Sequence, residues 1–199
     1  MKNTAPSQLP TFADIRLMNL RLFRTGLLDE AAEKIKQPSS SDLLELETVE
    51  KESNPEEIIN LCRKISYYKA KDALVEKILA DQEHTMPLLI ARFLRSSHDK
   101  FIEQATLALG YCEEKYVDEV VDRYEEIRSD YAKAEFCVVL GFRQKKECVE
   151  LLRREAERMK KLSRRNHSNN TAVGRALSTD YQDGPLIALD VMGERTLVR

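Results

Sequence analysis

The sequence predicts an all-α fold, a short α-solenoid of antiparallel helix pairs followed by an irregular C-terminal tail. Three observations lead to this prediction. Apolar residues recur at helical spacing along most of the chain, one motif returns at a fixed offset, and no obvious run alternates apolar with polar residues as a strand would. Only six glycines and six prolines occur in 199 residues, which also disfavours a sheet-rich fold.

The repeated motif lies within residues 99–161, where the predicted helix pairs are clearest. Ala-Leu-Gly-Tyr at residues 108–111 returns as Val-Leu-Gly-Phe at residues 139–142. The offset from Gly110 to Gly141 is therefore 31 residues (141 − 110). A repeat of this length indicates stacked helix pairs, because a single pair cannot cover its own apolar face.

Each copy of the repeat is expected to have a capping residue at both ends of its first helix. Asp99 and Asp130 precede the two apolar stripes and are the predicted N-caps. Gly110 and Gly141 are predicted to close the helices in the left-handed conformation that favours glycine. An irregular helical bundle, in which the two Leu-Gly pairs coincide by chance, is the alternative that remains open.

A helix that ends in Ala-Leu-Gly or Val-Leu-Gly after small residues resembles the short HEAT-like repeats that include the phycobilisome-lyase type. The resemblance covers residues 67–161, and Lys133 stands where that pattern often has a basic residue. Ile102 fills the same position in the other copy, and neither copy has the usual preceding aspartate. The resemblance implies a HEAT-like superhelix that serves as a protein-binding scaffold, although a fold by itself specifies no activity.

The helical-repeat domain is predicted to span residues 11–165, after a polar segment at residues 1–10 that is expected to be disordered. A loop rich in serine precedes a helix whose expected N-cap is Ser41 or Asp42. Asn54-Pro55 predicts a second helix start, with the asparagine as N-cap and the proline in the first turn.

The predicted C-terminal tail comprises residues 166–199. A short apolar run at residues 185–192 is separated by Gly193 and Glu194 from a second run at residues 196–198. This pattern is compatible with a small hairpin or with a tail that lies in a groove of its own solenoid or of a partner. A third alternative, a segment that caps the last repeat, is preferred because terminal repeats need a cover.

Charge is distributed unevenly, although the formal net charge is only −2. Acidic residues predominate at residues 29–57 and 113–126, whereas residues 143–165, here called the basic end, are rich in arginine and lysine. The near-zero total does not indicate a nucleic-acid or membrane binder. The two poles could steer a charged partner, promote head-to-tail self-association, or be solvated helix faces.

The residues predicted to contact a partner belong to the basic end. They are Arg153, Arg154, Arg158, Lys160 and Lys161. The alternative is an ordinary solvated helix face whose charge is partly paired inside the helix, by Glu150 with Arg154 and by Glu157 with Lys161 at the favourable four-residue spacing.

No motif for catalysis, a cofactor or a metal stands out. There is no Gly-rich phosphate loop and no Gly-x-Ser-x-Gly elbow, and the histidines are scattered. A Cys112–His98 nucleophile pair has no third group to orient it, so it is disfavoured. The cysteines occupy apolar helical positions without a Cys-x-x-Cys pair and are expected to be reduced core residues. They are Cys62, Cys112, Cys137 and Cys148.

These observations predict a non-catalytic cytoplasmic scaffold or adaptor that binds a protein partner and needs no cofactor. The first alternative is nucleic-acid binding through the basic end, which would weaken steeply with added salt. The second is a lyase-type enzyme, which the family resemblance alone suggests. No membrane association is expected, since no apolar run approaches a membrane span. The partner's identity and the oligomeric state do not follow from the sequence.

Overall fold

The computed structural model describes residue 20, residues 37–168 and residues 183–194, with backbone alone at residues 163–168. The predictions for residues 1–10, for the rest of the chain up to residue 36, and for residues 169–182 and 195–199 therefore fall outside the described residues, Leu20 excepted.

The described residues form helices and no strands, so the all-α prediction is confirmed. Eight helices are α1 (Ser40–Lys51), α2 (Pro55–Leu61), α3 (Tyr68–Ala80), α4 (Gln82–Phe93), α5 (Asp99–Tyr111), α6 (Glu114–Asp122), α7 (Asp130–Phe142) and α8 (Val149–Ser168). A ninth, α9, covers residues 183–191. Short 3-10 helices occupy Tyr124–Glu126 and Lys146–Cys148.

The helices pack in two rows that alternate along the chain. Helices α1, α3, α5 and α7 contact one another in succession, and α2, α4 and α6 do the same in a second row. Sequential helices such as α3 and α4 connect the rows, and the apolar core lies between them. Among the described helices, none combines the length and the apolar character needed to cross a membrane.

The helix starts agree only in part with the predicted caps. Asn54 caps α2 by accepting a hydrogen bond from the Glu56 amide, as predicted. The cap of α1 is Ser39, whose hydroxyl and backbone amide form a capping box with Asp42, so the assignment to Ser41 or Asp42 was wrong. A serine side chain was available two residues earlier, at the end of the loop.

The repeat caps were also predicted one residue too late. Asp99 and Asp130 are the first helical residues of α5 and α7, and the N-caps are His98 and Ser129. The Ser129 hydroxyl accepts a hydrogen bond from the Ala132 amide. The two aspartates still stabilise the helix N-termini, because their charge opposes the positive end of the helix dipole.

The two repeat glycines are not left-handed caps. Gly110 and Gly141 lie inside α5 and α7, and Gly193 is the glycine with a positive φ among the described residues. Their lack of a side chain admits a neighbouring segment instead. A Cβ on Gly110 would lie 2.5 Å from Leu20 Cδ2, and one on Gly141 would lie 2.5 Å from Ala188 Cα. Gly141 is therefore a packing requirement, because the Cβ would meet backbone, whereas at Gly110 the end of the Leu20 side chain could shift.

The C-terminal tail is not irregular throughout, since residues 183–191 form the helix α9. This excludes a strand of a hairpin in that segment. Gly184 and Ala188, one turn apart, pack against Ala134 and Gly141 of α7. Small residues on both sides let the two backbones approach closely, and Ile187, Leu189 and Met192 are buried in the same packing. The run that sequence reasoning read as a possible strand is the apolar face of a helix.

Candidate anion-binding groove and basic end

Three arginines of the basic end are held by carboxylates of the same chain. Arg153 pairs with Glu150 at 2.5 Å, measured from Nη1 to Oε1, and Arg154 pairs with Glu125 of the 3-10 helix at 2.7 Å. The predicted pairing of Glu150 with Arg154 is therefore wrong. The preferred contact of Arg154 lies outside its own helix, and sequence spacing could not show this.

Arg158 is tied into the interior rather than presented to a partner. Its Nε donates to Glu155 at 2.8 Å, and its Nη1 lies 2.7 Å from Asp130 Oδ1. Glu155 has only 2% of its side chain exposed, so this carboxylate is desolvated, whereas the Arg158 side chain is 34% exposed. Removing Arg158 would leave a buried carboxylate without its counterion, which is a large cost. This arginine therefore has a structural role.

Lys160 and Lys161, also predicted to contact a partner, lie further along α8. Lys160 is half-buried and Lys161 is exposed, and neither forms an ion pair with any residue that the structure describes. The predicted pairing of Glu157 with Lys161 is not formed. Of the five predicted residues, these two lysines leave their charge available, so the free positive charge at this end is smaller than the sequence suggests.

The start of the basic end is neutralised as well. Lys145 has 7% of its side chain exposed, and its Nζ lies 2.6 Å from Asp118 Oδ1 and 3.0 Å from Glu147 Oε1, with Glu114 also in contact. Burial lowers the pKa of Lys145, but the hydrogen bonds to these carboxylates outweigh burial and raise it. Lys145 therefore stays charged.

The three carboxylates around Lys145 have the spacing of metal ligands, but an ammonium ion already occupies their centre. One oxygen of each residue, Glu114, Asp118 and Glu147, lies within 4.8 Å of the others. A cation would have to displace Lys145 and leave its charge buried. The cluster is explained as a link between α6 and the segment that follows α7.

A different surface combines arginines that form no ion pair with any residue the structure describes. An open groove of about 320 Å³, here called the arginine groove, is lined by Arg63, Leu88, Ala91, Arg92, Arg95 and Ser96. Arg63 lies two residues beyond the end of α2, Arg92 is in the last turn of α4, and Arg95 lies two residues beyond the end of α4. The packing of α2 against α4 therefore brings together guanidinium groups that are about 30 residues apart in sequence.

Neighbouring side chains fix two of these guanidinium groups. The Cζ atoms of Arg63 and Arg92 lie 5.8 and 5.9 Å from the centre of the Phe101 ring, within the range of a cation–π contact. Arg92 Nη1 also donates to Asn60 Oδ1 at 2.6 Å. Phe101 is fully buried at the start of α5, so it provides a rigid support. The groove is thus partly preorganised.

No carboxylate neutralises the arginine groove among the residues that the structure describes. Arg63, Arg92 and Arg95 form no ion pair with any of them. The pKa of Glu126 is lowered mainly by Arg123, which holds it at 2.9 Å, and only to a lesser extent by Arg95. Three like charges around an open groove give it the chemistry of an anion receptor.

Sequence reasoning missed the arginine groove because its residues form no run. Arg92 and Arg95 are separated by two apolar residues and Arg63 belongs to an isolated Arg63-Lys64 pair, whereas residues 143–165 contain several consecutive basic pairs. A usable signal was present: Arg92 and Arg95 lie three residues apart at a helix end, and Arg63 occupies the corresponding helix end of the preceding pair, 29 residues earlier (92 − 63).

The proposed nucleophile pair has its thiol in the core, since Cys112 is buried, whereas His98 is exposed. Cys112 is buried, and burial raises the pKa of its thiol to about 12. The thiols of Cys62 and Cys137 have their pKa raised to about 12 for the same reason. Thiols with such pKa values are protonated at neutral pH and are weak nucleophiles. All four cysteines are free and buried, as expected of core residues.

No protein-family model matches the chain, and no curated protein and no solved structure matches it significantly. The function must therefore be argued from the geometry of the molecule.

Proposed function

We propose that this chain is a short α-solenoid of the HEAT-like kind that acts in the cytoplasm as a non-catalytic scaffold or adaptor for a protein partner. The arginine groove on the α2–α4 side carries this proposal, since it is a concave, charged surface that no carboxylate of the described residues pairs with. Open concave surfaces that stacked helix pairs create are commonly used for binding.

Contacts between residues one repeat apart support the solenoid. The Gln82 side chain accepts a hydrogen bond from the Glu113 amide at 2.7 Å, and the rings of Tyr111 and Phe142 have centres 5.4 Å apart. Both pairs are 31 residues apart (113 − 82 and 142 − 111), which is the period of the Leu-Gly motif. Two further pairs at this offset are Cys112 with Arg143, and Glu114 with Lys145.

Nucleic-acid binding through the basic end is the weaker candidate. Such binding depends on lysines and arginines that are free to neutralise phosphates. At the basic end, Arg153, Arg154 and Arg158 are engaged by carboxylates, and each would have to release its partner first. This pairing favours a structural role over a nucleic-acid contact.

Site-specific cross-linking tests the scaffold proposal. A benzophenone amino acid is placed in full-length protein at position 91, where Ala91 lines the arginine groove, and irradiated in nuclease-treated lysate of the source organism. A matched control carries it at position 83, also exposed on α4 but outside the groove lining. We expect a discrete protein adduct from position 91 and none from position 83. Equal labelling from both positions, or none from either, would contradict the proposal.

A further inference from the structure

We infer that the arginine groove binds a phosphate monoester carried on a peptide segment, so that partner recognition depends on phosphorylation. This inference rests on the proposed function and names the ligand class of the same surface. It follows from the charge, geometry and lining of the groove.

The charge of the groove calls for an anion with more than one negative charge. Arg63, Arg92 and Arg95 converge on one cavity without a carboxylate partner among the described residues. Like charges at short range repel one another, so an unoccupied groove is less stable than one that holds an anion. A phosphate monoester carries close to two negative charges at neutral pH and offers three acceptor oxygens. It suits three guanidinium groups better than a single carboxylate does.

The geometry of the arginines suits directional binding. A guanidinium group is planar and donates two parallel hydrogen bonds to phosphate, which an ammonium group cannot do. Phe101 supports Arg63 and Arg92 from beneath, and Asn60 fixes Arg92, while the exposed Arg95 can adjust to the ligand. Less side-chain entropy is then lost when the ligand binds.

The rest of the lining indicates that the phosphate is attached to a larger group. Leu88 and Ala91 give the groove an apolar wall, and the groove is open to solvent. Free phosphate would gain nothing from an apolar wall, whereas a phosphorylated side chain and its neighbours would bury it. Recognition of phosphorylated segments by arginine clusters is an established mode of peptide binding.

A nucleic acid is a poorer match to the same groove. Its phosphates are diesters with one charge each, and its binding sites follow the backbone with many cations in a row. The three arginines instead surround one cavity of about 320 Å³, which suits a single side-chain phosphate. The formal net charge of −2 also opposes long-range attraction of a polyanion.

The test is a fluorescence titration of full-length protein with degenerate peptide pools centred on phosphoserine, serine or glutamate. We expect the phosphoserine pool to bind at least tenfold more tightly than the serine pool, because charge-assisted hydrogen bonds contribute strongly. Arg63→Gln and Arg95→Gln should each lower the affinity for the phosphoserine pool about tenfold. Arg92→Lys should weaken it too, since a retained charge does not replace the planar donor pair.

Arg154→Gln provides the matched control, because it removes an exposed arginine that Glu125 already engages. It should change binding less than twofold. Far-UV circular dichroism of each variant checks that the fold is kept. Equal binding of the phosphoserine and serine pools overturns the inference, as does an effect of Arg154→Gln that equals that of Arg95→Gln.

Further arms distinguish the sources of phosphate. If inorganic phosphate binds as tightly as the phosphoserine pool does, the groove is a small-anion site and the peptide assignment is overturned. Tighter binding to single-stranded DNA, or to vesicles that contain a phosphoinositide, would overturn it as well if Arg95→Gln abolished that binding.

Treating the lysate with phosphatase before cross-linking separates this inference from the proposed function. If the adduct at position 91 forms and phosphatase removes it, both are supported. If the adduct forms regardless of phosphatase, the scaffold proposal stands and the phosphate inference fails. If no protein adduct forms at all, the proposed function fails, whatever the peptide pools show.

Discussion

The basic end and the arginine groove are both rich in arginine, but the groups beside their guanidiniums differ. At the basic end, Arg153, Arg154 and Arg158 contact carboxylates of the same chain at 2.5 to 2.8 Å. In the groove, the arginines contact an aromatic ring, an asparagine and open space. The same residue type thus stabilises the fold in one region and leaves its charge available in the other.

The comparison teaches that basic residues in a sequence cannot be counted as free charge. Residues 143–165 contain the densest basic run, yet carboxylates of α8 itself, of α6, of the 3-10 helix after α6 and of α7 pair with it. The arginine groove has fewer cations but no described carboxylate beside them. Variants of the two regions should therefore change different properties.

The largest effect is expected when the buried pair at the basic end is broken. Arg158→Met keeps most of the aliphatic packing but leaves Glu155 buried without its counterion. We expect the free energy of unfolding to fall by about 3 kcal/mol, as is typical when one partner of a buried pair is removed. Urea denaturation followed by circular dichroism measures this loss.

Replacing both members of the pair separates lost charge from lost packing. The double variant Glu155→Leu with Arg158→Met leaves no buried charge, so it should recover most of the stability. A single variant that loses less than about 1 kcal/mol would show that Glu155 does not need Arg158 as its counterion, and the contrast between the two regions would disappear.

Lowering the pH should reduce the free energy of unfolding by a smaller amount, through the carboxylates that pair with Lys145 and Arg143. Hydrogen bonds from Lys145 and then Arg143 lower the pKa of Glu114 below its usual 4.5. Because the folded-state pKa is depressed, this carboxylate's contribution is present above pH 4.5 and is lost as the pH falls through the lowered value. We expect the unfolding free energy of wild-type protein to decline below about pH 4.5.

Lys145→Met supplies the control for this pH dependence. The variant removes the larger cause of the lowered pKa of Glu114, so its decline in stability with acid should be shallower. Arg95→Gln should leave the slope of the wild-type curve nearly unchanged, because Arg95 is only a minor cause of the lowered pKa of Glu126. Parallel curves for wild type and Lys145→Met would disprove the linkage.

The smallest effect on stability is expected in the arginine groove. Arg95 is exposed and without an ion-pair partner among the described residues, so Arg95→Gln should change the unfolding free energy by no more than about 0.5 kcal/mol. A small gain is the expected direction, because substitution relieves repulsion from Arg63 and Arg92. Thermal unfolding in chloride buffer tests this, and a loss above about 1 kcal/mol would assign Arg95 a structural role.

The local chemistry of the sequence predicted several features correctly. The helical spacing of apolar residues gave the all-α fold, and Asn54 followed by Pro55 marked the start of α2. The cysteines lie in the core as expected. These features depend on neighbouring residues alone, which is why periodicity and capping rules suffice.

Features that depend on distant segments could not be predicted in the same way. Gly110 was assigned to a helix cap, but Leu20 packs on it from 90 residues away (110 − 20). Likewise, the Gln82 side chain accepts a hydrogen bond from the backbone amide of Glu113, 31 residues later. Helix α9 packs closely on α7 only because Ala134 and Gly141 are small. The arginine groove also exists only after α2 packs on α4. Tertiary packing decided each of these cases.

The two close contacts at the repeat glycines have a consequence for how the chain unfolds. Helices in a row contact mainly near neighbours in sequence, a topology that folds fast but can also open one unit at a time. The hydrogen bond from the Tyr111 hydroxyl to the Leu20 carbonyl, and the packing of Ala188 on Gly141, connect segments outside that local order. These contacts attach Leu20 to α5 and α9 to α7. Local opening of either segment therefore breaks contacts with α5 or α7, and we expect the described helices to unfold cooperatively.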